Sequence, residues 1–319
     1  MAGKKKVFIT GMSGYLGGNL CRELDKLDWC EKFYGMDVKK PLYKYDKAEF
    51  RQMDINDRAL VDWVAEVKPD IMVHLAYILE ETHDHDLMHR VNYDGSKNAL
   101  KAAAAGKVRQ VLIASSGTAY GAWPDNPARL KEDDPLRANP DFIYATDKVN
   151  IEKLAEEFKA ANPKTIMSII RPTVVYGPMV NNYISGLVDH FLIMGNRDFN
   201  PPLQFVHEDD VVAAIIRILE KGAGGAFNIT PADTITMLQL FELSKRPYIR
   251  FPDWFLTPGV HLLWTMRIPL LNLSTAFLDY IRYPWVMDNS RLVNELGFKY
   301  RYSTCETAEI MLRAKGWLP

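Results

Sequence analysis

The chain has 319 residues, of which 48% are hydrophobic and 25% charged, so it can bury a large core without metals or disulfides. Lys and Arg number 39 against 40 Asp and Glu, and this balance argues against an electrostatic nucleic-acid surface. A length of this order corresponds to about two domains, or to one large domain with an appendage.

The cysteines and the apolar segments bear on the compartment. Three separated cysteines (Cys21, Cys30 and Cys305) predict neither a disulfide framework nor a zinc site, and they suit a reducing cytoplasm. The N-terminal segment lacks the apolar core of a signal peptide. The longest apolar stretch is interrupted by His261 and Arg267, which makes it a poor membrane span. We therefore expect a soluble, cytoplasmic protein with no transmembrane segment.

Short apolar, β-branched runs alternate with longer helical patterns in the first half of the chain. The short runs predict strands over Lys6–Thr10, Phe33–Met36, Ile71–Leu75, Val108–Ala114 and Ile166–Ile170. The longer patterns predict helices over Leu16–Leu27, Arg58–Val67, Met88–Ala105 and Tyr144–Ala161. This βαβα order is typical of an α/β fold with a doubly wound parallel sheet that helices cover on both faces.

The alternation stops near residue 176. Beyond it, prolines become frequent and aromatic residues cluster. The change predicts a nucleotide-binding domain of the Rossmann type over residues 1–176, to which later segments contribute. Residues 177–319 then form a smaller substrate-binding lobe that is partly interleaved with the first domain.

A glycine-rich turn follows the first predicted strand. Gly11, Gly14 and Gly17 have GxxGxxG spacing and open a helix. Glycine permits a tight strand-to-helix turn and lets the backbone approach a pyrophosphate at the helix N-terminus. The spacing differs from GxGxxG, so the glycines need the support of a second feature.

Asp37 supplies that second feature, because it ends the second predicted strand twenty residues after Gly17. A carboxylate there accepts hydrogen bonds from an adenosine ribose and repels a 2′-phosphate. Lys39 and Lys40 follow it and could neutralise a 2′-phosphate. The pattern therefore predicts NAD as cofactor, with NADP left open.

Hydroxyl and ammonium groups gather at the carboxyl end of the predicted sheet, where ligands of such folds bind. Ser115 and Ser116 follow one strand, and Tyr144 and Lys148 lie four residues apart on the next helix. A lysine beside a phenol favours the phenolate, so we expect a lowered Tyr144 pKa suited to acid–base catalysis. The serine hydroxyl would orient the reacting oxygen.

Motifs in this order make the chain resemble an extended short-chain dehydrogenase/reductase of the NAD-dependent epimerase/dehydratase branch. The resemblance covers nearly the whole chain and rests on TGMSGYLG (10–17), MDI (53–55), HLAY (74–77), VNYDGSKN (91–98), SSGTAYG (115–121), YATDK (144–148), RPTVVYGP (171–178) and FVHEDDVV (205–212). Each motif alone is weak evidence, but their order and spacing together are specific.

The resemblance implies roles by position. Ser116, Tyr144 and Lys148 match the catalytic triad, in which the lysine also binds the nicotinamide ribose. The positions implied to contact or back the cofactor are Tyr15, Leu16, Asp54, Ile55, Leu75, Ala76, Tyr77, Asn92, Pro172 and Thr173.

The remaining polar candidates have structural interpretations. Asn92 and His207 are expected chiefly to pin loops. His83 and His85 form only one pair, and a metal site would need further ligands, so we expect a solvated or substrate-facing loop and no metal.

The residues after Ser116 narrow the reaction. Dehydratases and decarboxylases that resemble this chain have a carboxylate there, whereas Gly117 and Thr118 follow here, which argues against β-elimination. Three hypotheses remain. The first is an NAD-dependent oxidoreductase acting on a secondary alcohol or ketone, and the second is an epimerase with a retained cofactor. The third is a non-catalytic dinucleotide sensor, against which the complete triad counts.

One position bears on the substrate. Relatives that act on nucleotide sugars usually have an arginine four residues before the HxxD histidine, where this chain has Leu203 before His207. We therefore expect a small molecule other than a nucleotide sugar, although Arg250 or Arg267 could supply another phosphate clamp. The lobe is rich in apolar and aromatic residues, most of which we expect to form the core of the lobe, although pockets for hydrophobic substrates are lined in the same way: Tyr248, Phe251, Trp254, Phe255, Leu262, Leu263 and Trp264.

The family resemblance also implies a homodimer. Its interface would be a four-helix bundle built from the helices that hold Asn92–Ala105 and Tyr144–Lys159. The NALKAAAA stretch (98–105) supplies small residues that let helices approach closely.

Overall fold

A computed structural model describes residues 3–79, 83–178, 193–266 and 275–318. The strands are β1 (Lys5–Thr10), β2 (Cys30–Asp37), β3 (Ala48–Gln52), β4 (Ile71–His74), β5 (Gln110–Ala114), β6 (Ile166–Pro172), β7 (Val174–Tyr176), β8 (Ile193–Asn196), β9 (Pro202–Leu203), β10 (Phe205–His207), β11 (Gly225–Ile229), β12 (Ile235–Thr236) and β13 (Tyr248–Phe251).

The α-helices among these residues are α1 (Tyr15–Leu24), α2 (Ala59–Val67), α3 (His85–His89), α4 (Gly95–Ala105), α5 (Ile143–Ala161), α6 (Glu208–Lys221), α7 (Met237–Ser244), α8 (Asp253–Thr265), α9 (Leu278–Arg282), α10 (Ser290–Leu296) and α11 (Thr304–Ala314). None of the helices described is long and apolar enough to cross a membrane.

Seven strands form one parallel sheet in the order β11-β6-β5-β4-β1-β2-β3, which confirms the predicted fold class. The central strands are apolar because both of their faces are covered, and every residue of β4 and β5 is buried. By contrast, β3 lies at the sheet edge and is polar and half-exposed. The apolar runs therefore revealed the central strands but not this one.

Two apolar cores lie on opposite faces of the sheet. Residues of α1, α6 and α10 pack with one face, around side chains such as Leu20 and Ile215. Residues of α2, α4 and α5 pack with the other face, around Trp63 and Ile151. The amphipathic helices thus bury their apolar sides against a sheet that has no solvent-exposed face at its centre.

The chain beyond residue 176 both extends the sheet and builds a separate layer. Strand β11 pairs with β6, and α6 precedes it on the sheet face. The other late strands form three short pairs, β10 with β7, β9 with β12, and β8 with β13. Two smaller apolar clusters lie beneath these elements.

The helix predicted over Met88–Ala105 is not continuous. It consists of α3, a π-helical turn over Arg90–Asp94, and α4. The wider turn accompanies a buried Asn92 whose amide bonds to the backbone of Ile78. Such π turns are often found at functional sites, and this one lies beside the cavity described next.

Candidate active site

A cavity of about 210 Å³ opens at the carboxyl ends of β1, β4, β5 and β6, the edge at which ligands of such sheets bind. Most of the predicted site residues line it: Gly11, Gly14, Tyr15, Leu16, Gly17, Leu75, Tyr77, Ser116, Tyr144, Lys148, Pro172 and Thr173. The sheet therefore gathers residues that are separated by up to 162 positions in the sequence.

The glycine turn forms one end of this cavity. Gly11 has a φ of 77°, and a Cβ atom on it would lie 2.7 Å from the backbone of Leu75 and Ala76. A Cβ atom on Gly17 would overlap the carbonyl oxygen of Gly11. Helix α1 starts directly after Gly14, and no side chain caps its N-terminus. The turn therefore presents uncapped backbone N–H groups, the feature by which helix N-termini bind phosphate.

Asp37 lies beside the glycine turn, outside the cavity lining. Its carboxylate accepts hydrogen bonds from the backbone N–H groups of Ser13 (3.0 Å) and Lys39 (3.1 Å). The Lys39 and Lys40 side chains are exposed, and neither lines the cavity. Asp37 is therefore fixed in position next to the turn, where a ribose hydroxyl could reach it.

Besides Asp37, four predicted cofactor positions do not line the cavity. The Asp54 carboxylate accepts a hydrogen bond from the N–H of Asn56, and Ile55 packs in the core against Gly95. Ala76 contributes backbone close to Gly11. Asn92 holds the N–H and the carbonyl of Ile78 at 2.8 and 3.1 Å. Asn92 thus pins the loop that contains Tyr77, in line with the loop-pinning role expected of it.

Ser116 and Tyr144 form the polar centre of the cavity. The Ser116 Oγ accepts hydrogen bonds from the Thr118 hydroxyl (2.9 Å) and the Thr118 backbone N–H (3.2 Å). Because both donors point at this oxygen, the serine hydrogen remains available for another acceptor. Tyr144 lies in the first turn of α5 within hydrogen-bonding reach of Ser116.

The prediction of a lowered tyrosine pKa is wrong for this structure. Burial raises the pKa of the Tyr144 phenol above its usual value, and the hydrogen bond with Ser116 offsets only part of that effect. The Lys148 ammonium lies 5.4 Å from the Tyr144 ring centroid and is itself buried. Desolvation lowers the pKa of Lys148 well below its usual range, against the opposing charges of Asp147 and Glu152.

Lys148 has two close partners. Its Nζ donates a hydrogen bond to the carbonyl of Ala114 (2.7 Å) and lies 3.0 Å from the ring centroid of Tyr77. An aromatic face stabilises a buried ammonium by cation–π attraction. The family resemblance implied that Tyr77 lies beside the cofactor but did not reveal this contact, because only the fold brings the segment after β4 to the second turn of α5.

A buried hydrogen-bond network supports the end of β4. The His74 ring nitrogens lie 2.6 Å from the Thr10 hydroxyl and 2.9 Å from the Ser96 hydroxyl, and Ser96 donates to the carbonyl of Asn92. Burial, with the nearby Lys148 charge, lowers the pKa of His74 to about 3. The ring is therefore neutral at physiological pH and acts as a fixed link between two sheet strands and the π-helical segment.

Arg171 is a buried residue beside the cavity for which the sequence predicted no role. Its guanidinium forms a two-point ion pair with Glu152 (2.7 and 2.9 Å) and donates to the Tyr120 hydroxyl (2.6 Å). Both members of the pair are almost fully buried. Glu152 follows Lys148 by one helical turn, and Arg171 precedes Pro172, so the pair fixes two walls of the cavity relative to each other.

The rest of the cavity wall is mostly apolar. Lys148 is the one charged residue among the described residues of the lining. Two further lining residues, Ser115 and Thr118, are polar. The others are apolar: Leu79, Ala114, Val174, Val175, Phe277 and Trp285.

The positions considered for a phosphate clamp lie elsewhere. Leu203 is buried in the small apolar cluster that contains Tyr176. The Arg250 guanidinium donates to the carbonyls of Asn196 and Arg197, which fixes it to the end of β8. Arg267 lies outside the described residues.

Other polar candidates have separate environments. His83 stacks on Trp264, with ring centroids 4.2 Å apart, and the described residues contain no cluster of three or more metal-ligating groups. His207 is buried, accepts a hydrogen bond from the backbone of Asp209, and packs on Tyr302. Neither histidine lines the cavity.

Known proteins share both the sequence pattern and the fold. A UDP-glucose 4-epimerase of Mycolicibacterium smegmatis is 32% identical over 254 residues, which cover 72% of this chain and 79% of that protein. An uncharacterized protein of Mycobacterium tuberculosis is 26% identical over 99% of this chain and 85% of its own length. These relatives extend the likeness well beyond the glycine turn.

Solved structures give the same result for the fold. MoeE5 in complex with UDP-glucuronic acid and NAD superposes with a TM-score of 0.75 at 21% identity, covering 98% of this chain and 99% of that one. A UDP-glucose 4-epimerase of Thermotoga maritima with UDP-glucose gives 0.74 at 20% identity, covering 97% and 98%. The model of the NAD dependent epimerase/dehydratase family matches residues 7–230. The chain therefore belongs to this family of NAD-dependent enzymes.

Proposed function

We propose that the chain catalyses NAD-dependent hydride transfer at a carbon that bears a hydroxyl or keto group. The observation that carries this proposal is that Ser116, Tyr144 and Lys148 line one cavity whose far end is the glycine turn. A dinucleotide held at that turn would extend towards the three side chains, as it does in doubly wound folds. The proposal extends the family membership to particular residues.

The described residues fit NAD at the phosphate end. The turn at Gly11 and Gly17 would let the backbone approach a pyrophosphate, and the uncapped start of α1 offers N–H donors. Asp37 would accept hydrogen bonds from the adenosine ribose, and Pro172 and Thr173 would flank the nicotinamide. When bound, NAD supplies the hydride acceptor or donor.

The three polar side chains would handle the reacting oxygen and its proton. Ser116 would hydrogen-bond and orient the oxygen, since its own oxygen already accepts two bonds from Thr118. Tyr144 would give or take the proton at its phenolic oxygen. Lys148 would supply the local positive charge and bind the nicotinamide ribose, from a position fixed by Ala114 and Tyr77.

The cavity wall favours a substrate other than a nucleotide sugar. Leu79, Phe277 and Trp285 are apolar, and no described arginine lines the cavity. The pyrophosphate of a nucleotide sugar, which would lie away from the glycine turn, needs its own charge-assisted hydrogen bonds, and these side chains cannot supply them. We therefore propose a secondary alcohol or ketone of hydrophobic character, bound between the sheet edge and the lobe after residue 176.

An epimerase with a retained cofactor is the second candidate. It is favoured by the likeness to the UDP-glucose 4-epimerase of Mycolicibacterium smegmatis at 32% identity. The same three side chains would serve, because epimerisation at a hydroxyl-bearing carbon removes a hydride and returns it to the opposite face. The two candidates differ in whether NADH accumulates.

We also propose how the chain divides between these tasks. Residues 1–176, joined by α6 and β11, would bind the cofactor, and the remainder of residues 177–319 would cover the substrate. The homodimer through α4 and α5 stays a prediction.

A substrate screen tests the proposal. The protein with NAD is offered UDP- and GDP-sugars in one set, and steroid, terpenoid and aromatic secondary alcohols in another, while NADH absorbance and thermal stability are followed. The proposal expects NADH to form in the second set alone. Nucleotide-sugar turnover without NADH accumulation would identify the epimerase instead, and NADH formation with a nucleotide sugar would refute the proposed substrate class.

A further inference from the structure

Large exposed apolar side chains concentrate in one short part of the chain. Among the described residues ten such side chains are exposed, and six of them lie between residues 248 and 266. These six are Tyr248, Ile249, Trp254, Phe255, Leu262 and Met266. Scattered apolar residues need no explanation on a protein surface, but a group of this kind marks a binding surface.

Helix α8 is the centre of this group. Trp254 is 73% exposed and Leu262 is 58% exposed, and they lie two helical turns apart on one side. In contrast, Val260 is the one fully buried residue of the helix. The helix thus lies on the surface of the lobe with an apolar side turned towards solvent, and we call this side the α8 face.

The charges around the α8 face are unbalanced. Residues 245–267 contain four basic residues and a single acidic one, in a chain whose overall net charge is −1. The acidic residue is Asp253, whose carboxylate is paired with Arg282 at 2.9 Å. The basic residues are Lys245, Arg246 and Arg250, together with Arg267, which lies outside the described residues. Two other carboxylates near α8, Asp198 and Asp279, are also paired with arginines. An anionic partner would therefore meet few unpaired carboxylates beside the α8 face.

The α8 face lies close to one wall of the cavity. Helix α8 packs against the 3-10 turn Thr275–Phe277, and Phe277 lines the cavity. The ring of Trp264, near the end of α8, stacks on His83, which follows the Leu79 wall by four residues. A partner bound at the α8 face would thus lie near the apolar wall of the cavity.

We propose that the α8 face docks on the surface of an anionic lipid bilayer. Apolar and aromatic side chains flanked by basic residues are the features by which a helix lies in the membrane interface, where Trp in particular is enriched. Basic residues add attraction to anionic lipids that decays within a Debye length. The helix has 13 residues and so lies on the bilayer rather than across it. A hydrophobic substrate dissolved in that bilayer would then enter the cavity from close by.

Vesicle co-sedimentation tests the docking surface without requiring any substrate. The full chain is mixed with phosphatidylcholine vesicles that contain or lack phosphatidylserine, at low and high salt. The variant Trp254→Ser with Leu262→Ser removes two exposed side chains, and Leu42→Ser is the matched control because Leu42 is 89% exposed in the connection between β2 and β3. Circular dichroism verifies that all three proteins are folded.

We expect sedimentation with the anionic vesicles, reduced by high salt and reduced about tenfold in the double variant, with Leu42→Ser unchanged. Three results would overturn the proposal. The first is the absence of sedimentation with anionic vesicles, and the second is equal sedimentation of the double variant. The third is a dimer mass in solution that falls to the monomer mass in the double variant alone, since the α8 face would then bind a second copy. None of these results depends on the proposed hydride transfer.

Discussion

The carboxyl edge of the parallel sheet and the lobe that carries α8 differ in the side chains that characterise them, which are buried and polar at the sheet edge and exposed and apolar on α8. At the sheet edge, several buried polar groups are paired, as in the contacts of Arg171 with Glu152 and of His74 with Thr10, although the buried Ser115 hydroxyl has no hydrogen-bond partner among the described residues. In the lobe, α8 has one fully buried residue and exposes an aromatic side. We expect substitutions of the paired polar residues at the sheet edge to destabilise the fold, because each leaves a buried partner without its hydrogen bond. Substitutions on the exposed side of α8 should cost less stability.

This difference between the two regions suggests that the sheet edge carries the chemistry and the lobe carries substrate recognition. In the proposed function, the sheet edge would supply fixed groups for a proton, a ribose and a pyrophosphate. The lobe would supply the wall that meets the substrate, and there the chain has Leu203 and an apolar surface. We infer that the sheet edge defines the reaction and the lobe defines what is brought to it.

The two regions should differ most in the cost of breaking an ion pair. Arg171→Met leaves the buried Glu152 carboxylate unpaired and should lower the free energy of unfolding by about 3–5 kcal/mol. The matched variant in the lobe, Arg282→Met, breaks pairs with Asp253 and Asp279 that are partly exposed, and should cost about 1 kcal/mol. Urea denaturation measures both.

A second variant tests the reason for that difference. Replacing both partners, Arg171→Met with Glu152→Leu, should recover part of the loss because neither member of the pair is left charged without its partner. Equal costs for Arg171→Met and Arg282→Met would contradict the distinction between the two regions.

Adjacent glycines at the sheet edge allow the next test. Gly17→Ala would drive a Cβ atom into the Gly11 carbonyl and should weaken NAD binding by about 100-fold through a displaced turn. Gly18→Ala is the matched control, since its nearest neighbour would be the Tyr45 hydroxyl at 3.8 Å. It should preserve NAD binding and stabilise α1 by about 0.5–1 kcal/mol. Calorimetric titration with NAD distinguishes the two variants. Similar NAD affinities for Gly17→Ala and Gly18→Ala would contradict the role given to the tight turn in NAD binding.

Much of the sheet edge could be predicted from the sequence, and little of the lobe. Buried parallel strands have nearly continuous apolar runs, so the sequence predicted β1, β4, β5 and β6, and the predicted bounds of the helix holding Tyr144 were correct within one residue. Strand β11 joins β6 from more than fifty residues away, and no local pattern reports such a pairing. The short pairs of the lobe have two to four residues per strand, too few for periodicity to be read.

Within the site, too, features that depend on local sequence could be predicted, and features that depend on tertiary packing could not. Ser116, Tyr144 and Lys148 were identified because their spacing follows a shared pattern, and they do line one cavity. The direction of the Tyr144 pKa shift was wrong, because desolvation depends on how deeply the side chain is buried and the sequence does not give that depth. The ring of Tyr77 beneath Lys148 likewise depends on tertiary packing.

Replacing the Tyr77 ring should have a smaller effect, confined to turnover and its dependence on pH. Tyr77→Leu removes the aromatic face 3.0 Å from the Lys148 ammonium and should depress the lysine pKa further, lowering turnover about tenfold near neutral pH. Because an amine loses its charge as pH rises through its pKa, the alkaline fall in activity should move to lower pH. Tyr77→Phe retains the ring and should leave the profile unchanged. Coincident profiles for the Leu variant and the unmodified protein would exclude this role.

The smallest effect that we expect is on the preference for NAD over NADP. The unmodified protein should bind NAD more tightly than NADP, and Asp37→Ala should narrow that preference about tenfold by removing a carboxylate that repels the 2′-phosphate. Lys39→Ala is the control, since its exposed side chain does not line the cavity and should matter little. Fluorescence titration with both dinucleotides gives the ratio. Equal affinities in the unmodified protein would show that Lys39 and Lys40 outweigh the acid.

The central claim is that the sheet edge performs acid–base chemistry through Tyr144, and Tyr144→Phe tests it most directly. The change removes one oxygen from a buried ring and leaves the packing of α5 with Phe142 in place. Turnover of a substrate found by the NADH screen should fall by about 10²–10⁴-fold, while NAD affinity and the unfolding midpoint stay close to those of the unmodified protein. A variant that retains most of its activity with unchanged NAD binding would contradict the claim.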